Sequence, residues 1–170
     1  SIKTTCTIYK GKNLESQDYY MWTSPVKSYL TKCSDGFLMR VQAGALDGKL
    51  LIEYYDTSYN IQKTMTLNLE LPLFGAFYES SDNYYILTGA TNLNENNSQE
   101  VYHVTKYTKN WQSLGSCGVF GGNTTTPFRA GSARMLMYGK YLYIRTCHEM
   151  YTSADTYRHQ SNLSFTIDTS

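Results

Sequence analysis

The stretch Ser28-Tyr-Leu-Thr-Lys-Cys-Ser-Asp-Gly-Phe-Leu-Met-Arg-Val41 decides the fold, because its layout occurs twice more in the chain. The other copies are Ala76-Phe-Tyr-Glu-Ser-Ser-Asp-Asn-Tyr-Tyr-Ile-Leu-Thr88 and Ala133-Arg-Met-Leu-Met-Tyr-Gly-Lys-Tyr-Leu-Tyr-Ile-Arg145. Each is a short apolar run, a tight polar turn, and a second run of aromatic and aliphatic residues, which is typical of a β-hairpin. A further strand-like run follows each copy, so the sequence indicates a β-repeat architecture.

Composition supports an all-β fold. The 170 residues include 17 tyrosines and only three prolines, and aromatic residues suit the half-buried surface of a sheet. No window of about a dozen residues keeps apolar side chains at helical spacing.

The repeats are predicted to form antiparallel four-stranded blades of a β-propeller-like fold. Residues 27–71 would form the first blade, 72–120 the second, and 121–170 a third that lacks its last strand. Residues 1–26 would hold an N-terminal strand and a lead-in. The predicted strands are 27–32, 37–43, 49–55, 61–71, 76–79, 84–90, 101–107, 111–119, 133–137, 141–147 and 162–167. An antiparallel sandwich is the alternative architecture.

Three blades do not close a ring, since propellers typically have about four to eight. Either the chain is a fragment whose remaining blades are absent, or a second copy completes the ring. The stretch Ile2-Lys-Thr-Thr-Cys-Thr-Ile-Tyr9 alternates like a strand and would supply the missing one, to its own chain or to another.

Charge and cysteine spacing argue against several classes of protein. The net charge is +1 and no Lys/Arg run exceeds two residues, so no nucleic-acid partner is expected. No apolar segment approaches the ~20 residues that a membrane-spanning helix needs. Cys6, Cys33, Cys117 and Cys147 form no zinc-like pair, and free thiols are expected, with a single disulfide as the alternative.

The loop His148-Glu-Met-Tyr-Thr-Ser-Ala-Asp-Thr-Tyr-Arg-His-Gln160 is the richest in reactive side chains. His148, Glu149, Asp155 and His159 have the chemistry of metal ligands or acid–base groups, but no spacing fixes a third ligand. A hydrogen-bonded structural corner is therefore the favoured interpretation. Cys147 next to His148 is interpreted as a buried strand residue, because neighbours on a strand point to opposite faces.

A second polar loop, Asn92-Leu-Asn-Glu-Asn-Asn-Ser-Gln-Glu100, supplies oxygen atoms of the kind that Ca²⁺ prefers. It lacks the pattern of a dedicated calcium loop, so a solvated polar loop is favoured, and no cofactor, metal ligand or catalytic residue is assigned. Loops on a rigid scaffold are the usual place for binding sites. The candidate binding residues are Asn92, Asn94, Glu95, Arg145, His148, Glu149, Tyr151, Asp155 and His159.

Several stretches resemble a module of large extracellular proteins from anaerobic, gut-type bacteria. They are Leu71-Pro-Leu-Phe-Gly-Ala-Phe-Tyr78, Val104-Thr-Lys-Tyr-Thr-Lys-Asn-Trp111, Asn123-Thr-Thr-Thr-Pro-Phe128, Tyr143-Ile-Arg-Thr-Cys-His-Glu-Met-Tyr151 and His159-Gln-Ser-Asn-Leu-Ser-Phe165. The resemblance implies propeller-like repeats that continue beyond this chain, beside cell-wall or adhesion modules. The family has no settled activity, so no residue receives a role from it.

These observations predict an extracellular or cell-surface module for adhesion that binds a glycan or a peptide through loops and aromatic side chains. One alternative is a hydrolase or lyase that acts on polysaccharide through the His148–His159 loop. Another is a structural unit that closes its ring by oligomerisation. An enzyme is the less favoured class, since the sequence contains no complete catalytic constellation.

Overall fold

The computed structural model describes residues 25–131 and 133–170, and all regular structure in those ranges is β-strand. The expectation of an all-β fold is thus confirmed. No helix able to cross a membrane occurs in these ranges. The strands are β1 (Ser28–Lys32), β2 (Leu38–Leu46), β3 (Lys49–Tyr55), β4 (Ile61–Asn68), β5 (Leu73–Glu79), β6 (Asn83–Gly89), β7 (Glu100–Thr108), β8 (Ser113–Phe120), β9 (Thr124–Pro127), β10 (Arg134–Tyr138), β11 (Tyr141–Thr152) and β12 (Arg158–Asp168).

The strands form three antiparallel four-stranded sheets. The first has the order β1-β2-β3-β4, and the second has the order β5-β6-β7-β8. The third has the order β10-β11-β12, with β9 paired to the far end of β11. The first sheet belongs to one compact unit, while the second and third sheets belong to another that contains residues 70–170. The four-stranded antiparallel sheets were predicted correctly, whereas the ring and the blade boundaries stay predictions.

The first sheet has a buried charge in its central pair of strands. The side chain of Glu53 on β3 is fully buried and accepts a hydrogen bond from Arg40 Nε at 3.0 Å. Tyr55 Oη donates to the other carboxylate oxygen at 2.7 Å. Burial, together with this carboxylate, raises the pKa of Tyr55 to about 12. A buried carboxylate is tolerated here because both of its oxygens are hydrogen bonded.

The second and third sheets pack together around aromatic side chains. Tyr102 on β7 is fully buried, and its ring lies 5.4 Å from the rings of Phe128 and Phe165, measured between centroids. Phe128 packs directly on the backbone of β5 and β6, at Gly75 and Gly89. A Cβ atom at either glycine would overlap the Phe128 ring, so close backbone approach explains both glycines.

One corner recurs after the third strand of each repeat. Asp56 Oδ1 accepts hydrogen bonds from the backbone N of Ser58 and Asn60, and Thr108 Oγ1 does the same for Asn110 and Gln112. Asp168 Oδ1 accepts the first of these bonds, from Ser170 N at 3.0 Å. Such side-chain caps set the turn, so the three positions are structurally equivalent.

Several predicted strand limits were wrong. The predicted strand 111–119 begins instead at Ser113, because Trp111 takes a left-handed backbone in the corner (φ 63°). Residues 72–75 were expected to be a loop, but β5 already begins at Leu73. The short strand β9 was expected to be loop. The predicted strand at 2–9 and the lead-in up to residue 24 lie outside the described residues.

Candidate binding site at the loop end of the second and third sheets

Asn92 organises the loop between β6 and β7. Its side chain is buried, with Oδ1 accepting from Asn96 N at 2.9 Å and Nδ2 donating to the Asn96 carbonyl at 3.0 Å. Nδ2 also donates to Tyr151 Oη on β11 at 3.0 Å. Tyr151 Oη in turn contacts Asn97 Oδ1 at 3.2 Å. The loop is therefore folded on itself and fixed to the third sheet.

Glu95 makes the second link between the sheets. Its Oε1 atom accepts hydrogen bonds from Thr152 N and Oγ1, at 2.9 and 2.6 Å, and from Arg158 Nε at 3.2 Å. Arg158 Nη2 also donates to the Leu93 carbonyl at 2.8 Å. The pKa of Glu95 is lowered, chiefly by the Thr152 hydrogen bonds, so the residue is an anion at neutral pH.

These contacts join two loops that the sequence suggested separately. We call residues 91–99 and 151–159 together the loop cluster. Among the predicted site residues, it brings together Asn92, Glu95 and Tyr151 through hydrogen bonds. Asn94 is exposed at the tip of the first loop. Of the side-chain oxygens of the first loop that were considered for Ca²⁺, Asn92 Oδ1, Asn96 Oδ1 and Glu95 Oε1 accept hydrogen bonds from backbone N–H groups.

Asp155 lies in the turn between β11 and β12, and His159 is the second residue of β12. His159 Nε2 lies 2.7 Å from Asp155 Oδ2, while Asp155 Oδ1 accepts from Tyr157 N at 3.1 Å. The Tyr157 bond, followed by the His159 contact, lowers the pKa of Asp155. The expected 13-residue loop 148–160 is wrong in extent, because β11 continues to Thr152 and β12 begins at Arg158.

His148 and Glu149 lie on β11, outside the loop cluster, and contact β9. His148 is 3% exposed, and its Nδ1 lies 2.7 Å from Thr124 Oγ1. Because Thr124 Oγ1 donates to the Gly122 carbonyl, it accepts from His148, which places the imidazole proton on Nδ1. Burial lowers the pKa of His148, so the ring is neutral at pH 7. Glu149 accepts from Thr125 Oγ1 at 3.0 Å.

Arg145 occupies a different place from the other predicted residues. It lies midway along β11, on the exposed face of the third sheet, in register with Arg134 and Ser164. The two histidines of the loop that the alternative enzyme hypothesis used have separate partners, Thr124 for His148 and Asp155 for His159. Cys147 has the Asn162 side chain as its partner, at 3.4 Å. Cys117 and Cys147 are free thiols.

Two exposed apolar side chains of the loop cluster were missed. Tyr157 is 68% exposed and Leu93 is 58% exposed. Both adjoin the Arg158–Glu95 contact, since Tyr157 precedes Arg158 and the Leu93 carbonyl binds its guanidinium. In the sequence, each could have been recognised as a large apolar residue between polar residues of a loop. The cluster thus presents an exposed aromatic ring and an aliphatic side chain beside amide, carboxylate and imidazole groups.

Within residues 25–131 and 133–170, no group of three or more His, Cys, Asp or Glu side chains could hold a metal ion. Comparison of the chain with family models, with curated proteins and with solved structures gave no match.

Proposed function

We propose that this chain is part of an extracellular, β-propeller-like adhesion module that binds a glycan through the loop cluster. The observation that carries the proposal is the Glu95 contact with Thr152 and Arg158. It fixes two loops from different sheets while Tyr157 beside it stays exposed. A rigid tyrosine is suited to sugar recognition, because its ring stacks on the apolar face of a pyranose at little cost in conformational entropy.

Polar groups of the loop cluster supply the directional part of recognition. Asn94 is exposed and offers both a donor and an acceptor, and the Asp155–His159 pair is about half exposed. Sugar hydroxyl groups need such mixed donors and acceptors. The loops are already held in place before a ligand arrives. Binding therefore loses little conformational entropy of the loops, which favours affinity. Propeller-like sheets of consecutive strands, with sites on one loop end, are consistent with this role.

The test is binding to an array of neutral and acidic glycans, with Tyr157→Ala as the decisive variant. We expect the wild-type protein to be retained on a defined subset of glycans, and the variant to lose at least tenfold in affinity. Tyr59→Ala is the matched control, because Tyr59 is 58% exposed but lies at the corner of the first sheet. Equal loss in both variants, or retention only on peptide ligands, would overturn the proposal.

A further inference from the structure

The third sheet has one buried face and one exposed face. Successive side chains of a strand point to opposite faces, and on β11 the side chains of Leu142 and Ile144 are buried. Tyr143 and Arg145, which alternate with them, are exposed. We call the exposed side the outer face, and its central residues on the three strands are Arg134, Leu136, Tyr143, Arg145, Ser164 and Thr166.

Two arginines lie opposite each other on the outer face. Arg134 on β10 is in register with Arg145 on β11, and directly opposed side chains have Cβ atoms ~4.5–5.5 Å apart. Like charges in this arrangement destabilise a sheet. Arg134 Nη1 donates to the Ala133 carbonyl at 3.2 Å, and within residues 25–131 and 133–170 neither guanidinium group has a carboxylate partner. The pair is therefore a concentrated positive charge.

The immediate neighbours of Arg145 are neutral. It lies opposite Ser164 on β12, and Tyr143 precedes it on the same side of β11. Asp168, a carboxylate near the other end of β12, is bonded to Lys140 Nζ at 2.7 Å beside the β10–β11 turn. The charge of the arginine pair is thus available to an anionic group of a ligand.

Tyr143 adds an aromatic surface beside the two guanidinium groups. Its side chain is 44% exposed, and Leu136, its cross-strand neighbour, is 64% exposed. All six outer-face residues line one shallow groove of about 340 Å³. Sites for small ligands usually have volumes of ~300–1,000 Å³, so this groove is large enough for a short segment of a polymer.

We propose that the outer face is a second binding site, for a glycan that carries carboxylate or sulfate groups. A guanidinium group presents a planar fork of donors that matches such an anion with two hydrogen bonds. A bound anion also offsets the repulsion between the two opposed arginines. The Tyr143 ring would stack on the sugar, and the hydroxyl groups of Ser164 and Thr166 would bond to sugar hydroxyls. An aromatic ring flanked by hydroxyl groups favours a saccharide over an acidic peptide.

This site is separate from the loop cluster. Arg145 precedes Thr152, the β11 residue bound to Glu95, by seven residues, which is roughly 23 Å at the rise of a strand. Arg145 was predicted as a binding residue, and it would act on the outer face and not in the loop cluster. The inference concerns another surface than the proposed function and does not depend on it.

Titration calorimetry of the full chain with dextran sulfate, polygalacturonate and uncharged dextran tests the inference. We expect at least one anionic polymer to bind, with an affinity that decreases as salt is added. Arg134→Gln and Arg145→Gln should each reduce that affinity at least tenfold. Lys49→Gln is the matched control, because it removes one exposed positive charge from the first sheet, and it should stay within twofold of the wild type. Tyr157→Ala in the loop cluster should leave this binding unchanged, so the two proposals can fail independently.

Arg145→Glu separates loss of binding from loss of folding. A glutamate opposite Arg134 replaces a like-charge pair with an opposite-charge pair, so the melting temperature should be unchanged or higher while binding of the anionic polymer is abolished. Tyr143→Ala should reduce affinity at least fivefold, because the stacking surface is lost. Polyglutamate serves as the peptide probe. The inference would be overturned by polyglutamate binding as tightly as the polysaccharide, by equal losses in Arg145→Gln and Lys49→Gln, or by the absence of binding to both anionic polymers.

Discussion

Glu95 Oε1 accepts two hydrogen bonds from Thr152, which joins the loop after β6 to the last residue of β11. We expect Glu95→Ala to release both loops, because Thr152 and Arg158 lose their shared acceptor. Hydrogen exchange should increase at least tenfold at residues 92–97 and 151–158, with the melting temperature slightly lowered. Asp82→Ala, which removes an exposed carboxylate elsewhere in the second sheet, is the control. Unchanged exchange at both segments would show that Glu95 does not link the loops.

The buried imidazole of His148 predicts a dependence of stability on pH. Burial lowers its pKa in the folded state, so below about pH 6.5 the unfolded chain binds a proton that the folded chain does not. The free energy of unfolding should therefore decrease as the pH falls from about 6.5 toward the folded pKa. His148→Gln keeps a donor for Thr124 and does not titrate. In urea titrations it should show a shallower decrease than wild type between about pH 6.5 and 5, and parallel curves would contradict the prediction.

The Arg40–Glu53 pair in the first sheet predicts that removing Arg40 alone destabilises the protein more than removing both residues. Arg40→Leu leaves the buried Glu53 carboxylate without its cation, and should reduce the free energy of unfolding by about 3–5 kcal/mol. Replacing both residues with leucine removes the buried charge as well, so most of that loss should be recovered. Tyr55→Phe, which deletes one hydrogen bond to Glu53, should cost about 1 kcal/mol. Urea denaturation of the wild-type protein and these three variants measures the differences; a double variant no more stable than Arg40→Leu would refute the prediction.

Close packing of Phe128 on Gly75 predicts that a single methyl group is destabilising. Gly75→Ala places its Cβ too close to Cζ and Cε1 of the Phe128 ring, and overpacking of this kind costs about 1–3 kcal/mol. In a Phe128→Leu background the same alanine should cost much less, because the smaller side chain leaves space. Thermal or urea unfolding of the four proteins gives the coupling between the two positions. An equal cost in both backgrounds would mean that backbone strain, and not the ring, is responsible.

Local patterns were enough to predict most of the sheets. Residues 49–55 were predicted with their observed limits, because turn residues at Gly48 and Asp56 mark both ends of an apolar run. β9 could not be found in this way. Its residues, Thr124–Pro127, end in a proline, and its partner is the distal half of β11, some twenty residues further along the chain. That pairing depends on tertiary contacts that no local window contains.

The candidate site was predictable as a pair of loops but not as a cluster. Asn92 and Glu95 were selected for their oxygen atoms, yet their side chains turn out to bind Tyr151 and Thr152 on another sheet. His148 was selected because imidazole can bind metals or transfer protons. In the structure its ring is buried and hydrogen bonded to Thr124, so it joins β11 to β9. Residue type and spacing do not show whether a polar atom is already satisfied, because its partner can lie more than fifty residues away.

The order of strands within the sheets has a consequence for how the chain reaches its native state. Apart from β9, every strand of residues 25–131 and 133–170 pairs with a strand next to it in the sequence. Contacts between near neighbours require only short loops to close, so each sheet should form quickly and on its own. Refolding of these sheets should accordingly be fast, and its rate should not depend on protein concentration.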